Sequence, residues 1–164
     1  MKKRIVYFLF IIGVCIIGAC SSKSDSDAEK LPGIHVPVSE MNSEIRLEPD
    51  PGMPQEHKNG ETLGFLVRNQ SSSTISFSQD FGIKIFKKQG AIWESVENRW
   101  GYPEGENILP TTKESPVGLA FFVLPDLDGL NESTDVRIVI IGHFTDKPTE
   151  QVGAYIDVLY EPEQ

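Results

Sequence analysis

Two cysteines, three histidines and twenty-four carboxylates are the groups in this 164-residue chain that could ligate a metal, attack an electrophile or carry a proton. His35, His57 and His143 lack metal-ligand spacing, and zinc would need more nitrogen and sulfur donors than these. The run PDLDGLNE places Asp126, Asp128, Asn131 and Glu132 together, and a hard cation takes six to eight such oxygens. The full calcium-loop pattern is not met, so Asp126 and Asp128 are a weak metal candidate against the reading of an acidic, solvated turn. Serines cluster in turn-like segments, and none sits in a G-x-S-x-G elbow. No two carboxylates stand out as an acid–base pair. This inventory predicts no enzyme and no cofactor. What remains is one thiol, Cys20, at the end of an apolar run, and two aromatics, Trp100 and Tyr102, in the polar stretch NRWGYPEGE. Loop aromatics bring large rigid area at low entropic cost, which suits anchoring a partner or stacking on a sugar. The alternative is that Trp100 folds back to cap an open end of the fold.

Lys2, Lys3 and Arg4 precede an apolar run over residues 5–19, and SSKSDSDAEK follows at once. Fifteen apolar residues are too few for a span that needs about 20, and the layout is that of a secretory signal. Ile17-Gly18-Ala19-Cys20 resembles the lipobox of bacterial lipoproteins. The resemblance implies removal of residues 1–19, lipidation of the Cys20 thiol with fatty acyl chains such as palmitate, and a membrane-anchored, extracytoplasmic domain. It also implies the cell surface, or the outer membrane of a two-membrane host, since Ser21 is not the aspartate linked to inner-membrane retention. Residues 20–33 form the lipidated cysteine and a flexible tether by composition, because so polar a stretch buries too little to offset its ordering entropy. Residues 34–164 are then one domain.

The first nineteen residues hold three basic groups and no acidic ones, so the rest carries twelve basic against twenty-four acidic groups, a net of −12. That excludes nucleic acid as the expected partner, and a surface that hugs anionic lipid, since both need basic patches. With Cys15 in the signal and Cys20 lipidated, the domain has no disulfide and depends on its core.

Periodicity assigns strands. Residues 44–47 and 63–67 alternate, the first after a proline-rich lead-in read as irregular. In TISFSQDFGIKIF the apolar residues Ile75, Phe77, Phe81, Ile83 and Ile85 fall on odd positions. That length predicts a half-buried strand with a bend or bulge near residues 78–80. Lys87-Lys88-Gln89-Gly90 reads as a hairpin turn before a strand at 92–96, and residues 97–113 as a long loop. Residues 117–124 and 136–144 are apolar on both faces, which predicts central strands covered on both sides or left with a thinly exposed face. Residues 152–160 alternate again, and no three-turn helical stripe occurs. Asn69-Gln70-Ser71 and Asn131-Glu132-Ser133 match the glycosylation pattern and are read as chance matches.

Seven or eight short strands predict an all-β antiparallel sandwich. The order strand, NQSSS, long strand, KKQG, IWESV, proline-ended loop, strand, hairpin, AYIDVLY resembles the immunoglobulin-like domains of bacterial surface lipoproteins over residues 61–160. Trp93 stands where such domains place a core-edge tryptophan. The resemblance implies a non-enzymatic binding module whose partner is an envelope protein, a protease or a glycan. Two other roles stay open. ISFSQDFGIKIFKKQGAIW resembles an immunoglobulin-like bacterial proteinase-inhibitor family, and a structural accessory would lend a strand to a neighbouring sheet, which an exposed, uncharged edge strand would favour.

Overall fold

The computed structural model describes residues 31–53, 57–105, 107–111 and 118–162, so the signal and Cys20 lie outside the described residues. The fold is all-β. Among the described residues its ten strands are β1 (Ile45–Pro49), β2 (His57–Lys58), β3 (Leu63–Asn69), β4 (Ile75–Phe77), β5 (Lys84–Gln89), β6 (Ile92–Val96), β7 (Asn107–Leu109), β8 (Leu119–Val123), β9 (Thr134–Phe144) and β10 (Lys147–Glu161). One sheet has the order β1-β3-β8; the other runs β2-β10-β9-β4-β7, with β5 also on β9 and β6 on β5. Three strands facing β10-β9-β5-β6 reproduce the two-sheet strand order of an immunoglobulin-like sandwich. The count exceeds seven or eight because β2 and β7 are short additions and the long strand is divided.

The division of that strand is instructive. β4 and β5 both pair antiparallel with β9, but residues 78–83 stand opposite only Ile140 and Ile141, a four-residue excursion. An even insertion keeps the same face inward, so Ile75, Phe77 and Ile85 all reach the core. Within it Phe81 and Gly82 take positive φ values, and the expected bend is a full turn. The hairpin turn is also displaced: β5 continues through Gln89, and Gly90 and Ala91 make the turn.

Core residues alternate as the periodicity requires. Val136, Ile138 and Ile140 of β9 meet Phe65, Val67, Phe121 and Val123 of the facing sheet, with Tyr160 also fully buried. The opposite face of β9 carries Val139 and Ile141, and that of β5 carries Phe86. These pack in a second cluster with Leu31, Met41 and Trp93, flanked by Ile34, Val36 and Val38. The two-faced strand is therefore covered on its outer side by the lead-in itself. Residues 31–41 cross the sheet as a strap, half-burying Ile34, Val36 and Val38 and exposing His35 and Pro37 between them. The strap ends where Asn42 N–H donates to Gly153 O and Asn42 Oδ1 accepts from Tyr155 N–H. Leu31 is 5 % exposed, so the packed domain starts before residue 34. Both clusters lie within residues 31–162, so a chain beginning at Leu31 retains both cores.

One charge is built into that outer face. Arg137 is directly opposite Asp157 in the β9–β10 register and donates to both carboxylate oxygens at 2.7 Å. Its guanidinium lies 4.4 Å from the Trp93 ring centroid and 4.3 Å from that of Tyr155. A delocalised, planar cation tolerates this burial where an ammonium would not.

Candidate functional site

The two loop aromatics come together at the outer edge of β8, in different roles. Phe121 and Val123 of β8 point into the core, so Ala120 and Phe122 face outward. Trp100 rests on Phe122, centroids 5.4 Å apart and planes at 44°, and keeps 37 % of its surface exposed. Tyr102 turns the other way. Its ring meets Phe81 edge-on at 6.4 Å, and its hydroxyl donates to the carbonyl of Phe122 while accepting from Asn98 Nδ2. Burial pushes its pKa up to about 12, opposed by the Asn98 hydrogen bond and helped by the nearby Asp80 carboxylate. Tyr102 is thus a neutral hydrogen-bonding tie at physiological pH, and Trp100 is the surface it supports.

The loop is fastened along its length. Asn98 Oδ1 accepts from the amides of both Trp100 and Leu124, Arg99 N–H donates to Leu124 O, and Asp126 N–H donates to Glu97 O. Asn98 and Pro125 form an isolated antiparallel bridge, so residues 97–99 act as a short strand beyond the end of β8. From the far side Gln79 Nε2 donates to Tyr102 O, and Asn107 Nδ2 donates to the carbonyls of Ser78 and Gln79.

Between loop and strand is an open cleft of about 380 Å³. Trp100, Tyr102, Phe81 and Phe122 supply its aromatic walls, with Gln79 and Glu104 at its polar rim. Sequence reasoning singled out Trp100 and Tyr102 but not Phe81, Phe122 or Asn98. Phe81 lay on the odd-position stripe and read as core, which it also is. The turn that presents it is held by Ser78 Oγ donating to Asp80 Oδ1 at 2.6 Å and by Gly82 N–H donating to both oxygens. Burial acts to raise the Asp80 pKa, but those bonds and the Lys84 charge prevail and hold it below the ordinary carboxylate range.

The other candidates are placed apart from this cleft or satisfied locally. Arg99 Nη2 is 3.5 Å from Asp126 and its Nη1 is 3.5 Å from Asp128, so a guanidinium already faces both carboxylates of the weak metal candidate. Among the described residues no group of three or more His, Cys, Asp or Glu side chains is arranged to hold a metal ion. Asn69, of the first glycosylation match, is 4 % exposed and its amide nitrogen is committed to backbone carbonyls. Of the outer strands, β6 carries Glu94 beside the exposed Ile92, β7 is three residues long and followed by Pro110, and β8, at the edge of the smaller sheet, carries no charge. The segment resembling a proteinase inhibitor folds as β4, the 78–83 turn, β5 and the start of β6. No protein-family model and no curated protein sequence matches the chain.

Proposed function

We propose that the chain is a lipid-anchored extracytoplasmic lipoprotein whose sandwich is a non-enzymatic binding module, with the partner engaged at the Trp100 cleft. The observation that carries this is a half-open tryptophan held rigid over a cleft by a fastened loop. An exposed aromatic whose scaffold is already ordered loses little freedom on binding, the property of an anchor residue. Location rests on the apolar run and Cys20 in the sequence. The test is capture from detergent-solubilised host envelope by residues 31–164, with Trp100→Ala as control. A partner captured by the native domain and lost with the control supports the reading; a partner retained by the control moves the site elsewhere. Labelling of the full chain with a palmitate analogue, abolished by Cys20→Ser, tests the anchor separately.

A further inference from the structure

The cleft is bordered by backbone as well as by rings. In the β3–β8 ladder alternate residues of β8 turn their N–H and C=O toward β3 and away from it. The Phe122 carbonyl accepts from the Tyr102 hydroxyl, so Phe122 and, two residues earlier, Ala120 direct their backbone groups to the outer edge. Toward the C-terminal end that edge is occupied: Leu124 N–H and C=O are paired with Asn98 and Arg99. Among the described residues the Ala120 N–H and C=O and the Phe122 N–H have no strand partner, and both residues line the cleft.

Charge narrows the occupant. Glu104 lines the cleft and the Asp80 carboxylate acts on Tyr102 from below. Of the neighbouring cations, Arg99 is shared between Asp126 and Asp128, and Lys84 acts on the Asp80 carboxylate. Glu104 leaves the rim of the cleft acidic, and acidic groups outnumber basic ones in the domain as a whole.

We infer that the cleft takes an extended peptide segment that adds as a short strand to the outer edge of β8, setting an apolar side chain against Trp100 with basic side chains flanking it. This rests on the reading of the cleft as the binding site and adds the class of ligand. A sugar would use the Trp100 ring and hydrogen-bond single amides, but outward N–H and C=O groups spaced two residues apart match the repeat of an extended backbone, which uses both. The ligand continues the antiparallel pairing that residues 97–99 begin.

The test is titration calorimetry of residues 31–164 with a capped octapeptide alternating lysine and valine. Binding is expected to weaken about tenfold or more when the amides on one edge of the peptide are N-methylated, since each strand hydrogen bond is worth up to a factor of about ten. Replacing the lysines by glutamates should weaken it further, most at low salt. Ala120→Pro removes an N–H that does not serve the β3 ladder, and should cost a similar factor while the melting temperature stays close to native. No binding at millimolar peptide overturns the inference, as does equal binding of the N-methylated peptide or equal binding by Ala120→Pro. Chitotetraose bound in a Trp100-dependent way, with the peptide inert, would also overturn it and leave the binding-module reading standing. Failure of envelope capture to depend on Trp100 would instead remove the reading beneath it.

Discussion

Asn69 closes β3, and replacing its amide by a carboxylate of the same shape should be worse than deleting it. The side chain is 4 % exposed. Its nitrogen donates to Ser73 O at 2.7 Å and Pro110 O at 3.0 Å, with a marginal third contact to Leu109 O at 3.4 Å. Its oxygen accepts from Ser71 N–H at 2.8 Å and Ser71 Oγ at 2.7 Å. One amide therefore ties the NQSSS turn to the exit of β7. Asn69→Ala forfeits the four well-formed bonds at about 0.5–1 kcal/mol net each, a loss of about 2–4 kcal/mol. Asn69→Asp keeps the accepting oxygen but turns a second oxygen onto three carbonyls. Burying that charge without a donor raises the cost to about 3–5 kcal/mol at neutral pH. The introduced carboxyl would have a raised folded-state pKa, because burial and carbonyl oxygens both favour the protonated form. Its penalty should then shrink as pH falls through that value, where the protonated acid donates one bond again. Urea unfolding of residues 31–164 at several pH values reads this directly, and melting should fall by about 4 °C per kcal/mol. An Asn69→Asp domain within about 0.5 kcal/mol of native, or one more stable than Asn69→Ala at pH 7, would refute the clamp.

Gly82→Ala should destabilise by at least about 2 kcal/mol in the same assay, because a Cβ there falls 2.4 Å from Ile141 O and Gly82 has φ +59; a neutral substitution would mean the 78–83 turn is not held as described. Arg137→Lys keeps the charge but loses the two-pronged bond to Asp157 and the stack between Trp93 and Tyr155, at about 2–4 kcal/mol. Denaturant midpoints equal for the two residues would show that charge alone is what β9 needs there. Burial lowers the His57 pKa, with Glu61 opposing more weakly, so the unfolded chain takes up the proton first. Stability should therefore fall as pH drops from about 6.5 toward the lower folded-state value. His57→Gln should flatten that slope, and an unchanged slope would assign it to other groups.

Much of the framework was legible because a period of two survives in single strands. The odd-position stripe from Ile75 to Ile85 predicted the inward set even though the turn at 78–83 was longer than the expected bend, since a four-residue excursion preserves parity. The apolar double face of 136–144 predicted a central strand covered on both sides or left with a thinly exposed face, and the structure has the first. The cover itself was not recognised, because Pro37 and Gly33 made residues 31–41 read as lead-in. Its signal was present in Ile34, Val36 and Val38, alternating with exposed positions. The Arg137–Asp157 pair was also within reach: the apolar runs 136–144 and 152–160 carry one Asp, Glu, Lys or Arg each, and the two stand opposite one another across the hairpin. Side chains that bind distant backbone left no such trace. Nothing in NRWGYPEGE says that the Tyr102 hydroxyl will meet a carbonyl twenty residues on, or that Asn98 will order Trp100 and Leu124 together. The loop's aromatics could be chosen from sequence, but which one holds and which one presents depends on the register of a strand elsewhere.

Strap and Trp100 pack on the outward faces of different sheets, and that placement gives the proposed anchor a consequence. The strap packs on the outward side of β5 and β9, through Phe86 and Val139. Trp100 packs on Phe122, which faces outward from the other sheet. Eleven residue steps separate Cys20 from Leu31, and a chain spans at most about 3.6 Å per step, so the strap side stays within about 40 Å of a lipid held at Cys20. If the strap stays packed, a pull on that leash is taken by the outer face of the larger sheet and turns that face to the membrane. Trp100 and Phe122 then face away from the lipid. A partner in the cleft is on this account not the bilayer that holds the protein, but a segment reaching toward it from beyond.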